Sequence, residues 1–272
     1  GLVVIKTKLE EMKDVIQLDI SDHKKISDLI DKEKPDIVIN CAGRNDIDFL
    51  EKNPEQAIAI NSIGPEIIAK KCEECNSRLV HISTDSIFDG QKGMYDENDV
   101  PNPKNIYAKT KLEGEKKVTK ECSNSVIVRT NFYGIDNSRK YLFNNMLEKL
   151  KQKQDIIGFD DVHFTPLSVE NLSQQITDVT FSNYNGIIHL GSDKKISKYE
   201  FCKIMAQKLG FGENYVKQGS IDNLSFIAER PKNTSLNNKV SKSIVKHKSI
   251  EFEDWLESKK DEIMELHDLK NV

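Results

Sequence analysis

From residue 2 to residue 134 the chain alternates short, β-branched apolar runs with longer amphipathic stretches, and this alternation constrains the fold more than any other feature. A strand, a helix and another strand in succession return the chain in the same direction, so the strands pair in parallel and the helices cover the sheet. Strands are expected at Leu2–Lys6, Val15–Leu18, Asp36–Asn40, Leu79–Ser83 and Val126–Arg129. Helices are expected at His23–Glu33, Pro54–Glu74, Ile106–Cys122 and Lys140–Lys153. The fold class is therefore α/β, a doubly wound parallel sheet.

Beyond residue 134 the alternation weakens. The stretch HFTPLSVENLSQQI reads as a loop entering a helix near Ser168, and a further strand follows at Gly186–Gly191. Ser197 is placed as the N-cap of a helix that Gly210 stops, and a last helix spans Phe252–Leu266, with Trp255 as a packing residue. The division expected is residues 1–155 as the sheet domain, with 168–192 returning to it, and residues 156–167 and 193–272 as a smaller substrate-binding region.

The 272 residues suffice for one large core or two smaller ones, and 37% hydrophobic with 31% charged residues is an ordinary globular balance. A net charge of −4 gives no reason to expect a nucleic-acid partner. No apolar run approaches the roughly 20 residues that span a bilayer, so no membrane association is expected. Five cysteines without framework spacing suit a reducing cytoplasm. Cys72 and Cys75 form a CxxC near a helix end, but with no second pair or histidine nearby they make a poor zinc site. His81 and His163 lack a second ligand at fixed spacing and read as structural. Asp46, Asp48 and Glu51 read as a solvated helix start, so no metal is expected.

Tyr107 and Lys111 lie four residues apart on one helix face, just after a strand ending in Ser83-Thr84-Asp85. An ammonium beside a phenol favours the phenolate and lowers its pKa, which suits proton exchange with a carbonyl or alcohol. The order PDIVINCAG, INSIGP, LVHISTDSIFDG, YAKTKLEGEK and VIVRTNFYG resembles the extended short-chain dehydrogenase/reductases. Within them it is most similar to the dTDP-4-dehydrorhamnose reductases, and the resemblance runs from about Leu2 to about Leu236.

That resemblance implies a Rossmann-like sheet and hydride transfer from NADPH or NADH to a ketone of a nucleotide-linked sugar. It implies catalytic roles for Thr84, Tyr107 and Lys111. It implies cofactor contacts from Asp19, Ile20, Cys41, Ala42, Gly43, Asn61, Ser83 and Asn131, together with Tyr107 and Lys111; Asp19 reads equally well as a turn residue. Arg44, Asp85, Phe132 and Arg230 would meet the substrate, Arg230 as a bidentate partner of its diphosphate. Lys6 and Lys8 are weak candidates for a 2′-phosphate. A homodimer is a further expectation.

Several residues depart from the family pattern. Phe132 replaces a tryptophan, keeping an aromatic wall without the indole N–H. Arg44-Asn45 stands where the family has Tyr-Thr, and Ser86 after Asp85 argues against the Thr-Asp-Glu set of dehydratases. No three of the thirteen glycines make GxGxxG or GxxGxxG, and GLVVIKTK matches the family's second strand. The resemblance thus implies a start after the first strand and helix. In the order 3-2-1-4-5-6 that strand is central, and its loss would part strands 2 and 3 from the rest. Residues 1–272 alone are accordingly expected to express poorly and bind no dinucleotide. Two alternatives stay open: a non-catalytic subunit like the methionine adenosyltransferase β subunit, and an epimerase with tightly held NAD.

Overall fold

The computed structural model describes residues 3–135 and 142–266. Two short strands come first, β1 (Thr7–Lys8) and β2 (Ile16–Gln17), paired in parallel. Their pairing is extended by the Ile16 N–H to the Lys6 carbonyl at 2.9 Å and the Leu18 N–H to the Lys8 carbonyl at 2.8 Å. Helix α1 (His23–Glu33) begins where the Asp22 side chain accepts the Lys25 N–H, and ends at Lys34 in the left-handed conformation. Then come β3 (Ile37–Asn40), α2 (Ile47–Lys52), α3 (Pro54–Ile58), α4 (Gly64–Glu74), β4 (Arg78–Ile82), α5 (Ile106–Glu121) and β5 (Ser125–Thr130).

The C-terminal half carries shorter pieces: β6 (Phe132–Tyr133), α6 (Leu142–Lys151), β7 (Ile156–Phe159), β8 (His163–Phe164) and β9 (Leu167–Ser168). After them run α7 (Val169–Thr180), β10 (Gly186–Leu190), β11 (Ile196–Ser197), α8 (Lys198–Lys208), β12 (Val216–Gly219) and α9 (Phe252–Leu266). Ser168 caps α7 as expected, and Ser197 forms a full capping box with Glu200 on α8. Gly210 follows α8 with φ +81°, a conformation that glycine adopts without a Cβ penalty.

Four strands form the main sheet in the order β10-β5-β4-β3, all parallel. Every residue of β5 is buried, as a central parallel strand covered on both faces requires. β1 and β2 form their own two-stranded sheet, apart from the main one as expected. Two expectations need correction. The first strand, expected at residues 2–6, is Thr7–Lys8 instead; with pairing on one side only, few residues have ladder partners, and Leu2 lies outside the described residues. The single helix expected over 54–74 is interrupted by a π-helical turn at Ala59–Ile63. The helix expected from Lys140 is described from Leu142.

A second core lies under the C-terminal half. Tyr133, Phe143, Phe201, Phe252 and Trp255 pack together, with the Phe201 and Phe252 rings stacked at 3.8 Å, so α6, α8 and α9 share one aromatic cluster. Trp255 is buried there and its indole N–H donates to Glu170 at 3.2 Å.

Candidate active site

The site forms where β4 ends and α5 begins. Asn105 is fully buried at the N-cap of α5: its carbonyl side-chain oxygen accepts the Ala108 N–H at 2.9 Å and its amide donates to the Glu229 carbonyl at 2.8 Å. Glu51 accepts the Ile106 N–H at 2.9 Å, so the first turn of α5 is held from two sides. Tyr107, Lys111 and Glu115 then follow at four-residue spacing on one face.

Thr84 lies beside the Tyr107 phenol, donates to Asp85 at 3.3 Å and caps the turn after β4 by accepting the Ser86 N–H at 3.2 Å. Burial pushes the phenol up to about 12, against the Thr84 hydroxyl, and the charge of Asp85 adds to the rise. This corrects the expectation of a lowered tyrosine. Lys111 donates to the Ile82 carbonyl at 2.7 Å, and burial brings its ammonium down to about 8 while Glu115 and Cys41 oppose the fall.

Beneath these residues sits an ion pair that the sequence reading missed. Glu115 meets Arg129 at 2.8 Å with both side chains at most 3% exposed, and the Ser83 hydroxyl donates to the same carboxylate. Ser83, expected to touch the cofactor, is thus committed to the floor of the site. The available signals were the four-residue step from Lys111 to Glu115 and an arginine inside the apolar run VIVRT.

Cys41, Ala42 and Gly43 leave β3 next to the π-helical turn. Asn61 in that turn is 1% exposed; its side-chain oxygen accepts the Arg44 N–H at 3.0 Å and its amide donates to the Arg44 carbonyl at 3.0 Å. A π turn inserts one residue into the helix and redirects a side chain, here toward the 43–44 backbone. Gly114 on α5 abuts the Asn61 carbonyl with no room for a Cβ, which lets the two helices meet this closely. A Cβ on Gly43 would come within 3.3 Å of the Asn61 oxygen and 3.9 Å of the Lys111 Nζ. His81 is fully buried and its Nδ1 pairs with the Asn40 amide at 3.0 Å, while the Asn40 oxygen accepts the Ala42 N–H at 3.1 Å. Burial holds His81 well below the usual histidine range, which suits this neutral bracing contact.

This arrangement fits the nicotinamide half of a dinucleotide: a flat turn of small residues with the Lys111 ammonium beside it. The pyrophosphate half has no matching cradle, because no described helix N-terminus follows a glycine-rich turn.

Other expected site residues are placed differently. Asp85 is 1% exposed; it accepts from Thr234 at 2.6 Å, Asn131 at 3.1 Å, Thr84 at 3.3 Å and Ser86 at 3.3 Å. It is an enclosed hub rather than an open substrate ligand, and Asn131, expected at the nicotinamide, turns its amide to it. Arg230 pairs with Asp48 at 3.0 Å, not with an open diphosphate position, and its Nη1 is buried with no partner. Arg44 stacks on Phe49 at 3.6 Å, and Phe132 is exposed at the site's edge. Asp19 accepts the Ser21 N–H at 2.8 Å, the turn reading, and Ile20 packs against Gly64. Lys8 pairs with Glu10 at 3.3 Å. Thr234 and Lys198 escaped notice in the sequence; the Lys198 ammonium lies 3.3 Å from the Phe164 ring centre, brought down to about 8 by burial while Asp85 opposes. Among the described residues no cluster of His, Cys, Asp and Glu could hold a metal, and no helix is long and apolar enough to cross a membrane.

A parallel sheet with threonine, tyrosine and lysine converging at its carboxyl edge defines an extended short-chain dehydrogenase/reductase architecture. The chain belongs to the RmlD substrate binding domain family, whose model matches residues 3–265. It is 30% identical over 225 residues to the probable low-salt glycan biosynthesis reductase Agl14 of Haloferax volcanii, covering 81% of this chain and 75% of that protein. It is 28% identical to the methionine adenosyltransferase 2 subunit beta of Xenopus tropicalis, over 74% of this chain but only 62% of the relative's length. A dTDP-4-dehydrorhamnose reductase of Bacillus anthracis, solved in complex with NADP, superposes with a TM-score of 0.80 at 28% identity, covering 85% of this chain and 83% of the other.

Proposed function

We propose that the protein is a reductase that converts the 4-keto group of a nucleotide-linked deoxysugar to an alcohol, with NADPH or NADH as reductant. The observation that carries this reading is the convergence of Thr84, Tyr107 and Lys111 at the carboxyl end of β4, where Lys111 bonds the Ile82 carbonyl. The resemblance to Agl14 and to the Bacillus anthracis reductase supports the substrate class.

When bound, the reduced nicotinamide supplies hydride to the carbonyl carbon. Tyr107 donates its phenolic proton to the carbonyl oxygen as charge develops there, and its high pKa keeps that proton available at neutral pH. Thr84 hydrogen-bonds the same oxygen and orients the phenol. Solvent restores the proton to Tyr107, so one hydride and one proton are consumed per alcohol formed. Lys111 would hold the cofactor's ribose hydroxyls with the N–H groups not given to Ile82. Asn61 fixes the turn Cys41–Arg44 that would support the nicotinamide, and Asp19 and Ile20 would border the adenine. Phe132 would wall the sugar, and Arg230 would meet the diphosphate only on leaving its pair with Asp48. The C-terminal region, residues 156–167 and 193–272, carries the substrate. The reading puts the enzyme in the cytoplasm, with an exposed free thiol at Cys41.

The intact Thr84–Tyr107 pair favours catalysis over a purely regulatory role. The test mixes the protein expressed from its natural reading frame with NADPH and a dTDP-4-keto-6-deoxysugar. Cofactor absorbance should fall, and Tyr107→Phe should slow the fall by roughly 10²–10⁴-fold while leaving dTDP affinity unchanged. No cofactor oxidation with any keto-sugar nucleotide removes the reading.

A further inference from the structure

Three features of Lys198 run against stability. It is the first residue of α8, where a positive charge opposes the helix dipole; Glu200 is the acidic residue of that turn. Its ammonium loses more to burial than the nearby charges of Asp85 and Cys202 return. Among the described residues no carboxylate or carbonyl accepts a hydrogen bond from it. It sits instead on the face of the Phe164 ring, with Nζ 3.3 Å from the ring centre. A local rule broken in this way without a compensating partner is the mark of a functional position.

The ammonium is nonetheless held firmly. β11 pairs antiparallel with β8, Ile196 opposite Phe164 and Ser197 opposite His163, so the ring and the lysine come from paired segments. The Lys198 N–H donates to the Val162 carbonyl at 2.8 Å, and the capping box of Ser197 and Glu200 fixes the first turn of α8. Phe164 is 2% exposed and packs on Phe201 with ring centres 5.6 Å apart, so the platform belongs to the aromatic core. A donor on a rigid platform is preorganised for an acceptor from outside the chain.

Asp85 shows which part of a ligand lies within reach. A carboxylate offers about four acceptor positions, and Asp85 gives its own to Thr234, Asn131, Thr84 and Ser86, so its charge is felt at Lys198 without a bond between them. Asp85 also adjoins Thr84, the residue set on the ketone oxygen. We propose that Lys198 is a substrate-contacting residue whose N–H groups bond a hydroxyl or ring oxygen of the sugar held at Thr84 and Tyr107. The contact rests on the reductase reading of that site. A sugar lacking this oxygen leaves the N–H groups unpaired and is selected against. A lysine donates N–H both as ammonium and as amine, so the contact outlasts the loss of its proton.

The test is calorimetric titration of the protein from its natural reading frame with dTDP and, separately, with a dTDP-6-deoxysugar, comparing wild type with Lys198→Met. Methionine keeps an unbranched stem against Phe164 and removes the N–H groups. The sugar nucleotide should bind the variant about tenfold more weakly, while dTDP binds both proteins alike and so shows the site intact. The urea midpoint should hold or rise, because a buried cation opposed to the helix dipole is gone. Unchanged sugar affinity overturns the proposal, as does equal weakening of dTDP, which would put Lys198 on the diphosphate. So does a falling midpoint, the mark of a packing role. Wild-type protein that binds neither ligand removes this contact and the reductase reading together. Sugar binding that depends on Lys198, with no NADPH oxidised, removes the reductase reading alone.

Discussion

The Thr234 hydroxyl donates to the Asp85 carboxylate at 2.6 Å, a bond across 149 positions that ties the C-terminal region to the residue beside Thr84. Asp85 is almost wholly enclosed, and burial raises its carboxyl even though Thr234, Asn131 and Thr84 favour the charged form. Removing one of those donors leaves a buried acceptor unsatisfied. Thr234→Val keeps the shape and should destabilise the protein by about 1–3 kcal/mol in urea unfolding. An unchanged midpoint would show that the hub does not join the two halves.

Activity should fall at alkaline pH because of Lys111, not Tyr107. A lysine is charged below its pKa, and burial lowers this one to about 8, so its ammonium is lost as pH rises through that value. Tyr107 keeps its proton until about 12. The pH profile of kcat/KM should therefore decline above about pH 8 with a slope of one. Lys111→Arg, charged throughout this range, should move the decline upward even if the peak is lower. A wild-type profile flat past 10.5, the ordinary lysine value, would contradict this.

The ion pair between Glu115 and Arg129 should behave as a unit. Breaking a buried pair from one side strands a charge, and Glu115→Leu or Arg129→Leu should each cost about 3–5 kcal/mol. The double substitution should cost much less than the sum, because no lone charge remains. Additive losses in a double-mutant cycle would mean the two side chains act independently.

Elements with a local signature were legible before the structure. The β-branched runs of β3, β4, β5 and β10 and the Ser168 and Ser197 caps stand where the pattern puts them, because burial and capping are decided within a few residues. The Tyr107–Lys111 step was equally local. What escaped was set by distant partners: the Thr234–Asp85 bond, the Arg129–Glu115 pair and the pairing of Arg230 with Asp48. The π turn at Asn61 was invisible because one extra residue per turn does not alter an apolar stretch enough to show. The tyrosine pKa was misjudged for a related reason. Residue spacing predicts that Lys111 shares its face, but not that the ammonium bonds the Ile82 carbonyl or how deeply the phenol is buried.

The most direct test of the central claim is isotope transfer. The protein from its natural reading frame is incubated with NADPH carrying deuterium at the transferable nicotinamide position and with a dTDP-4-keto-6-deoxysugar, and the product sugar is examined by NMR. The account predicts deuterium on the carbon that bore the ketone, one equivalent for each cofactor oxidised, and loss of transfer in Tyr107→Phe. Sugar interconversion without net cofactor oxidation, or NADPH bound with no deuterium passed to any sugar, would contradict it.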